Sequence, residues 1–192
     1  MGHATDSARR AQELWISYNL LDKLLRVESL TNLQVLYISN NKINNWTEVM
    51  RLTNCPKLEE VLLEANPLFE QYQARGDYRM QVLGRLQTIK KLDGVPCNEE
   101  EHRQAKDFMI AQQMLQRFGS IEQIFKKIDV DGDGSLSKKE MDTALRNLGF
   151  PYDDDELEAF FNSVDANHNG RIEYAELEKK FDIVSTASDT RG

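Results

Sequence analysis

Three segments in the first half of the chain repeat one arrangement of apolar residues around an asparagine. They read LWISYNLL at 14–21, LYISNNKI at 36–43 and VLLEANPL at 61–68. Asn19, Asn41 and Asn66 hold the same place in the pattern, at intervals of 22 and 25 residues (41 − 19 and 66 − 41). Three copies in register predict stacked structural units, and this constrains the fold more than any other feature of the sequence.

The complete pattern is L-x-x-L-x-L-x-x-N-x-L, because Leu33 and Leu58 lie three positions before Leu36 and Val61. It is typical of the leucine-rich repeat, in which alternating apolar residues of a short strand point into a shared core. The asparagine turns the chain, and its side chain can satisfy backbone groups left open at the turn. We therefore expect a short α/β repeat solenoid over residues 1–97.

A solenoid needs a terminal cap, because its last repeat would otherwise expose an apolar face. Residues 78–86 can form a helix, and Leu86, Ile89 and Leu92 continue the apolar pattern. Asp93 and Gly94 then predict a turn that ends the array.

The strand register also predicts a surface, because residues between the core positions point to the opposite side. They are Glu13, Trp15, Ser17, Val35, Tyr37, Ser39, Glu60, Leu62 and Glu64. Stacking aligns Trp15, Tyr37 and Leu62 in one column, which we predict to be a partner-binding surface. The alternative is that a terminal helix covers the column. Trp46, which lies between repeats, is expected to pack in the core.

Two loops of twelve residues stand out in the second half. They are DVDGDGSLSKKE at 129–140 and DANHNGRIEYAE at 165–176. Both match D-x-[DN]-x-[DN]-G with glutamate at the twelfth position, the pattern of an EF-hand calcium loop. Calcium takes about seven hard oxygen ligands, and Gly134 and Gly170 permit the sharp turn at the sixth position.

The ligand positions of this pattern are 1, 3, 5, 7, 9 and 12, with a backbone carbonyl at 7 and often a water at 9. They are occupied here by Asp129, Asp131, Asp133, Ser135, Ser137 and Glu140, and by Asp165, Asn167, Asn169, Arg171, Glu173 and Glu176. The sequence therefore predicts two Ca²⁺ sites. It leaves open which loop binds more tightly, and His168 is expected to be a solvated side chain.

Apolar residues at helical spacing flank both loops, so a paired, all-helical EF-hand unit is predicted over residues 119–184. The acidic run 153–156 is better explained as the start of a helix than as another metal site. Residues 98–118 predict a helical connector, capped by Asn98, that could alternatively pack into the EF-hand groove. Residues 185–192 are expected to be a flexible tail.

Charge and composition argue against several other classes of protein. Residues 1–100 hold 12 Lys+Arg and 13 Asp+Glu, which leaves 12 and 19 for residues 101–192, so the net charge of −8 lies mostly in the second half. This asymmetry argues against nucleic-acid binding. We expect no membrane span, no secretory signal and no small-molecule substrate. The two cysteines, Cys55 and Cys97, fit neither a disulfide framework nor a zinc site.

The sequence of residues 11–97 resembles the axonemal dynein light chains that are built of leucine-rich repeats. These light chains belong to the repeat group typified by the nuclear phosphatase regulator. The resemblance rests on LWISYN at 14–19, LYISNN at 36–41, Trp46, NPL at 66–68 and LDG at 92–94. Ala65 replaces a glycine usual in that family. The family has further repeats before this point, but only 13 residues precede Leu14, so two alternatives stay open: the array is shortened, or residues 8–12 cap it. The second half resembles the EF-hand pairs of calmodulin and centrin.

These resemblances imply a calcium-binding adaptor or light chain, not an enzyme, that docks a dynein heavy chain or a microtubule-associated partner. They imply a cytoplasmic, cytoskeletal location in the axoneme of a cilium or flagellum. Two alternatives stay open. One is a calcium-dependent regulatory subunit of a phosphatase or other enzyme, and the other is a passive calcium buffer.

Overall fold

The computed structural model describes residues 11–149 and 153–188. The chain divides into two compact units between Lys106 and Asp107. The first is an α/β repeat unit and the second is helical. The division falls inside one helix, Glu99–Phe118, rather than at either end of the connector predicted for residues 98–118.

The repeat unit is built on one sheet of five short strands in sequential order. The strands are β1 (Glu13–Trp15), β2 (Val35–Tyr37), β3 (Glu60–Leu62), β4 (Lys91–Leu92) and β5 (Val95–Pro96). Strands β1 to β4 are parallel, and β5 turns back antiparallel to β4. The register places Trp15 opposite Tyr37 and Tyr37 opposite Leu62, which is the column predicted from the repeat alignment.

Short helical segments connect the strands. They are the 3-10 turns Val27–Ser29 and Arg51–Asn54 and the helices α1 (Trp46–Met50), α2 (Pro67–Gln73) and α3 (Tyr78–Leu83). The Asn45 side chain caps α1 by accepting the Glu48 N–H at 3.3 Å. Helix α3 is shorter than the prediction of residues 78–86, because Gly84, a poor helix former, follows Leu83.

The apolar positions of the repeats form the core of this unit. Leu36, Ile38, Val61 and Leu63 are completely buried, as the alternating pattern predicts. Burial of each such side chain contributes roughly 1.5–3 kcal/mol to folding. The core extends into the cap through buried Leu86, Ile89 and Leu92.

The helical unit carries two helix–loop–helix hands. Its helices are α4 (Glu99–Phe118), which begins in the repeat unit, α5 (Ile121–Ile128), α6 (Lys138–Asn147), α7 (Asp154–Val164) and α8 (Tyr174–Ser188). Asn98 caps α4 by accepting the Glu101 N–H at 2.9 Å. Asp153 caps α7 in a reciprocal pair with Glu156, so the acidic run begins a helix as predicted.

Helix α8 continues to Ser188, so residues 185–188 are helical where a flexible tail was predicted. Residues 189–192 lie outside the described part of the chain, as do the first ten residues. Among the described residues, no helix combines the length and apolar character needed to cross a bilayer.

Candidate metal centre and repeat face

The loop between α5 and α6 gathers three carboxylates at one point. Asp129, Asp131 and Asp133 each offer a carboxylate oxygen, and these oxygens lie within 4.8 Å of one another. Like charges at this separation repel, so the loop backbone must hold them together. The sequence placed these residues at positions 1, 3 and 5, and the structure brings them together.

Backbone amides inside the loop hold the carboxylates. The two oxygens of Asp129 accept the N–H groups of Gly132 at 2.8 Å and Gly134 at 3.1 Å. The Asp133 carboxylate accepts the Ser135 N–H at 2.9 Å. Gly134 has φ +85°, a conformation that costs other residues steric strain, so glycine is required at the sixth position.

Glu140, at the twelfth position, folds back toward the loop. Its Oε1 accepts the Val130 N–H at 2.9 Å, and its Oε2 accepts the Ser137 N–H at 2.8 Å. Ser137 caps α6 in return, with its hydroxyl accepting the Glu140 N–H. Both oxygens of Glu140 are therefore positioned beside the loop, as a bidentate ligand requires.

The loop between α7 and α8 repeats this arrangement. Asp165 accepts the N–H of Asn169 at 3.1 Å and of Gly170 at 2.8 Å. Glu176 accepts the N–H of Asn167 at 3.1 Å and of Glu173 at 3.0 Å. Two loops of different sequence thus share one backbone design.

The position-9 residue of the second loop is tied to the amides of its own loop. The Glu173 carboxylate accepts from Asn167 Nδ2 at 3.0 Å and from Asn169 Nδ2 at 2.7 Å. These bonds leave the amide oxygens of the two asparagines as the groups able to face a cation. His168 is exposed with φ +56°, and it forms part of the turn rather than of the ligand set.

An antiparallel bridge joins the two loops. The N–H of Leu136 donates to the Ile172 carbonyl at 2.8 Å, and the N–H of Ile172 donates to the Leu136 carbonyl at 2.9 Å. Both side chains are completely buried. The apolar residues at the eighth position of each loop therefore pair, and the bridge fixes the loops edge to edge.

The donor set of both loops fits calcium. Loop one offers the carboxylates of Asp129, Asp131, Asp133 and Glu140, with the carbonyl of Ser135 and the position of Ser137. Loop two offers Asp165, Asn167, Asn169 and Glu176, with the carbonyl of Arg171 and the position of Glu173. These are hard oxygens, which calcium prefers over the nitrogen and sulfur ligands of zinc.

The apolar side chains around the loops are covered in this structure. Met141, Leu145, Phe160 and Phe161 are each at most 3% exposed. Phe125 is half-buried, and its ring meets Tyr174 edge-on at 5.7 Å between ring centroids. These apolar side chains thus lie in a closed arrangement.

One polar contact of this unit was missed by the sequence analysis. Asp107 of α4 is buried, and its Oδ2 accepts from Lys180 Nζ of α8 at 2.8 Å and from Ser163 Oγ of α7 at 3.1 Å. It therefore ties α4 to both helices of the second hand. Neither spacing nor composition marks these three residues, because they are separated by 56 and 73 positions.

The repeat face carries an aromatic stack. The rings of Trp15 and Tyr37 lie parallel at 5.5 Å between centroids, and Trp15 is 68% exposed. Leu62, next in the column, is half-buried. An exposed aromatic pair of this kind offers a large apolar contact area at low entropic cost.

Charged groups border the stack on one side. Glu60 Oε1 accepts from the Tyr37 hydroxyl at 2.6 Å and from Lys91 Nζ at 3.0 Å. The hydrogen bond from Tyr37 holds the pKa of Glu60 below its usual range. The Tyr37 ring is thereby fixed in orientation at the centre of the column.

Ser39 and Trp46 are two further positions of the repeat unit whose exposure or burial the sequence predicted. Ser39 was expected on the exposed face, but it is buried, because its hydroxyl donates to Ser17 Oγ at 2.9 Å in the neighbouring repeat. Trp46 packs partly buried against the core, with the Arg85 guanidinium 4.2 Å from its ring centroid. Cys55 and Cys97 are both free thiols.

Comparison with known proteins agrees with this geometry. The EF-hand domain pair family model matches residues 119–181. The chain is 50% identical over 97 residues to dynein axonemal light chain 1 of Chlamydomonas reinhardtii, covering 49% of each chain.

Two further relatives cover smaller parts. Probable calcium-binding protein CML11 of rice, Oryza sativa subsp. japonica, is 39% identical over 32% of this chain and 29% of its own. Leucine-rich repeat-containing protein 36 of Mus musculus is 34% identical over 55% of this chain and 14% of its own. The chain thus spans about half the length of the first curated relative and less of the others.

Two units of known kind are therefore joined in one chain. The parallel strands and the asparagine turns are those of a leucine-rich repeat array. Residues 119–181 are an EF-hand pair, a calcium-binding domain, in a chain similar to dynein axonemal light chain 1.

Proposed function

We propose that the chain is a calcium-sensing adaptor of the axonemal dynein light-chain type. Its repeat face docks a protein partner, and its EF-hand pair binds two calcium ions that alter the interaction. The observation that carries this proposal is the presence in one chain of a Trp15–Tyr37 stack, in which Trp15 is exposed, and of two loops whose first ligand is held by backbone N–H groups. The similarity to dynein axonemal light chain 1 supports the choice of partner class.

The partner we propose is the motor domain of a dynein heavy chain, near microtubules in the axoneme of a cilium or flagellum. The column of Trp15, Tyr37 and Leu62 would supply the apolar anchor, because interface energy concentrates in a few large side chains. Glu60 and Lys91 would supply polar contacts at its edge. The proposal places no nucleic acid, membrane or small-molecule substrate at this face.

The residues proposed to hold the ions are those at the six ligand positions of each loop. When bound, calcium supplies two positive charges per site and draws these oxygens together. The hydrogen bonds from Gly134 to Asp129 and from Gly170 to Asp165 already orient the first ligand of each loop. Less ordering of the backbone is then needed on binding, which favours affinity.

The sensing step we propose is a change in the angle between α7 and α8. Calcium opens sensor EF-hands and exposes apolar side chains, whereas buffer hands open little. In this chain, opening would separate Ser163 on α7 from Lys180 on α8, both of which contact Asp107. It would also uncover Phe160 and Phe161, which are buried here.

A binding experiment with the full chain tests both parts. The tagged protein is mixed with ciliary extract and with a purified outer-arm motor domain, with calcium and with a calcium chelator. We expect the motor domain to bind, with an affinity that changes with calcium, and Trp15→Ala to weaken binding at least ten-fold. Tyr18→Ala is the matched control, since Tyr18 is an exposed aromatic outside the column and should leave binding unchanged.

The alternatives make different predictions in the same experiment. Recovery of a phosphatase catalytic subunit instead of the motor domain would favour an enzyme regulator. Calcium binding that leaves helicity, tryptophan fluorescence and partner affinity unchanged would favour a passive buffer. Binding of the motor domain that is insensitive to Trp15→Ala would show that the repeat column is not the docking surface.

A further inference from the structure

Arg171 lies in the second loop, but its side chain contacts the first. Its Nη1 contacts the carboxylate Oδ2 of Asp133 and donates to Ser135 Oγ at 3.0 Å. Asp133 and Ser135 are the fifth and seventh residues of loop one. An arginine of one calcium loop therefore contacts a predicted ligand of the other.

The loop geometry explains this reach. The Leu136–Ile172 bridge fixes the two loops edge to edge, and Arg171 immediately precedes Ile172. Its own N–H is bound to Asn169 Oδ1 at 2.8 Å, so its backbone position is set by loop two. The acid of its own loop, Glu173, already accepts from Asn167 and Asn169.

The contact changes the charge of loop one. The ligand positions of loop one hold four carboxylates against three in loop two, and the charge of the ligands helps set calcium affinity. The guanidinium offsets one of these charges at Asp133.

We infer that Arg171 is a built-in counter-charge of loop one that competes with calcium for Asp133 and couples the two sites. It rests on the proposed binding of calcium by both loops. Arginine keeps its charge at any physiological pH, so the competition is permanent. Its backbone carbonyl stands at a ligand position of loop two, so an ion in that loop moves the same residue whose side chain screens loop one.

Competition by Arg171 should lower the calcium affinity of loop one. Removing the guanidinium should raise the calcium affinity of loop one about two- to five-fold, the scale expected for one partly exposed ion pair. The gain should shrink as salt screens the exposed charge, because the screening length falls from about 30 Å at 0.01 M to about 3 Å at 1 M ionic strength. The side chains of Arg171 and Asp133 are 45% and 36% exposed, so the variant should keep its fold.

The test isolates loop one in the full chain. Glu176→Gln removes the bidentate ligand of loop two, and calcium is titrated by calorimetry into this variant and into Glu176→Gln with Arg171→Gln. Arg146→Gln in the same background is the matched control, because it removes one exposed positive charge away from both loops. The Arg171 side-chain N–H resonance is followed in parallel by NMR.

We expect tighter binding with Arg171→Gln, no change with Arg146→Gln, and a shift of the Arg171 resonance when loop one fills. Equal affinity with and without the guanidinium, or an equal gain in the control, would overturn the inference while leaving the proposed function intact. A Glu176→Gln variant that binds no calcium would overturn both, because loop one would then not be a calcium site. Circular dichroism of each variant before titration confirms that the helices are retained.

Discussion

Asn66 joins its own turn to the turn of the preceding repeat through Ile43. Its Oδ1 accepts the Ile43 N–H at 3.0 Å, and its Nδ2 donates to the carbonyls of Ile38 at 3.0 Å and Leu63 at 2.8 Å. Asn41 makes the same contacts one repeat earlier, to Leu21, Ile16 and Ile38. The repeated asparagines therefore join successive turns by hydrogen bonds.

Removing Asn66 should destabilise the repeat unit strongly. Asn66→Ala removes the partner of the Ile43 N–H and of the Leu63 carbonyl at a completely buried site, while the Ile38 carbonyl keeps the Asn41 amide. Each unsatisfied group costs about 1–3 kcal/mol before relaxation. We expect a loss of about 3 kcal/mol or more in the free energy of unfolding, measured by urea denaturation.

Asn19 supplies the matched control for this change. It occupies the same repeat position, but it is exposed, and its bonds within the described part of the chain go to Ile16 and Ser17 of its own turn. Asn19→Ala should therefore cost less than about 1 kcal/mol. Equal losses for the two variants would show that bonding between turns is not what the asparagine contributes.

Ala65 stores backbone strain that a glycine would relieve. Its φ is +54°, in the left-handed region that costs an ordinary residue about 1–2 kcal/mol. The greater chain entropy of glycine in the unfolded state opposes part of the gain. Ala65→Gly should thus raise the free energy of unfolding by up to about 1 kcal/mol, seen as a higher urea midpoint.

The corresponding position one repeat earlier tests whether strain is the cause. Asn40 has φ +52°, a conformation that asparagine tolerates better than alanine. Asn40→Gly should give little or no gain. A larger gain there than at Ala65 would contradict the explanation.

The sequence predicts the strands and register of the repeat unit, but not the hydrogen bonds that join its turns. The spacing of the leucines indicated the strands, their register and the Trp15–Tyr37–Leu62 column, because each depends only on periodicity. The hydrogen bonds of Asn66 to Ile43 and Ile38 could not be predicted, since these residues lie 23 and 28 positions away in the preceding repeat.

The motif of the calcium loops likewise predicts the ligands but not the side-chain contacts between distant residues. Their motif indicated which oxygens gather, because all the ligands lie within twelve consecutive residues. It did not indicate that the Arg171 side chain reaches Asp133 across the bridge, because the motif assigns only the backbone of the seventh residue. The Asp107–Lys180 contact left no signal in the sequence, since it depends on how distant helices pack.

The cap of the repeat array should respond to alkaline pH through Tyr78. This buried tyrosine donates its hydroxyl to Asp93 Oδ2 at 2.8 Å, and burial together with the Asp93 charge raises its pKa far above the ordinary value. Because the pKa is raised in the folded state, the stabilisation is complete below about pH 10 and is lost as pH rises further.

Tyr78→Phe removes both the hydrogen bond and the titrating group. We expect a loss of about 1–3 kcal/mol at pH 7, since the acceptor is charged. Between pH 10 and 11 the wild type should lose about 1 kcal/mol more than the variant, because only its unfolded state ionises at this position. Parallel stability curves for the two proteins above pH 10 would contradict this assignment.

The contact of Asp107 with Lys180 and Ser163 should oppose calcium-driven opening. Asp107→Asn removes the carboxylate charge from a buried site, which weakens the closed arrangement of α7 and α8. A ligand that favours the open state then binds more tightly, because less of its free energy is spent on the change. We expect a several-fold rise in calcium affinity, measured by competition with a chelating dye.

Asp142→Asn is the control for that experiment, because it removes the same charge from a helix surface where Asp142 pairs with Arg146. It should change calcium affinity less than Asp107→Asn does. Unchanged or weaker calcium binding in Asp107→Asn would show that this contact does not hold the second hand closed.

The most direct test of calcium binding follows the amides of Gly134 and Gly170 during a calcium titration of the full chain by NMR. Each N–H donates to the first ligand of its loop, Asp129 at 3.1 Å and Asp165 at 2.8 Å, so an ion on that carboxylate must move its resonance. Both resonances should shift and saturate at two calcium ions per chain, with Glu140→Gln and Glu176→Gln each removing or weakening the response of its own loop. Two resonances that stay in place at millimolar calcium would contradict the proposal that this chain senses calcium.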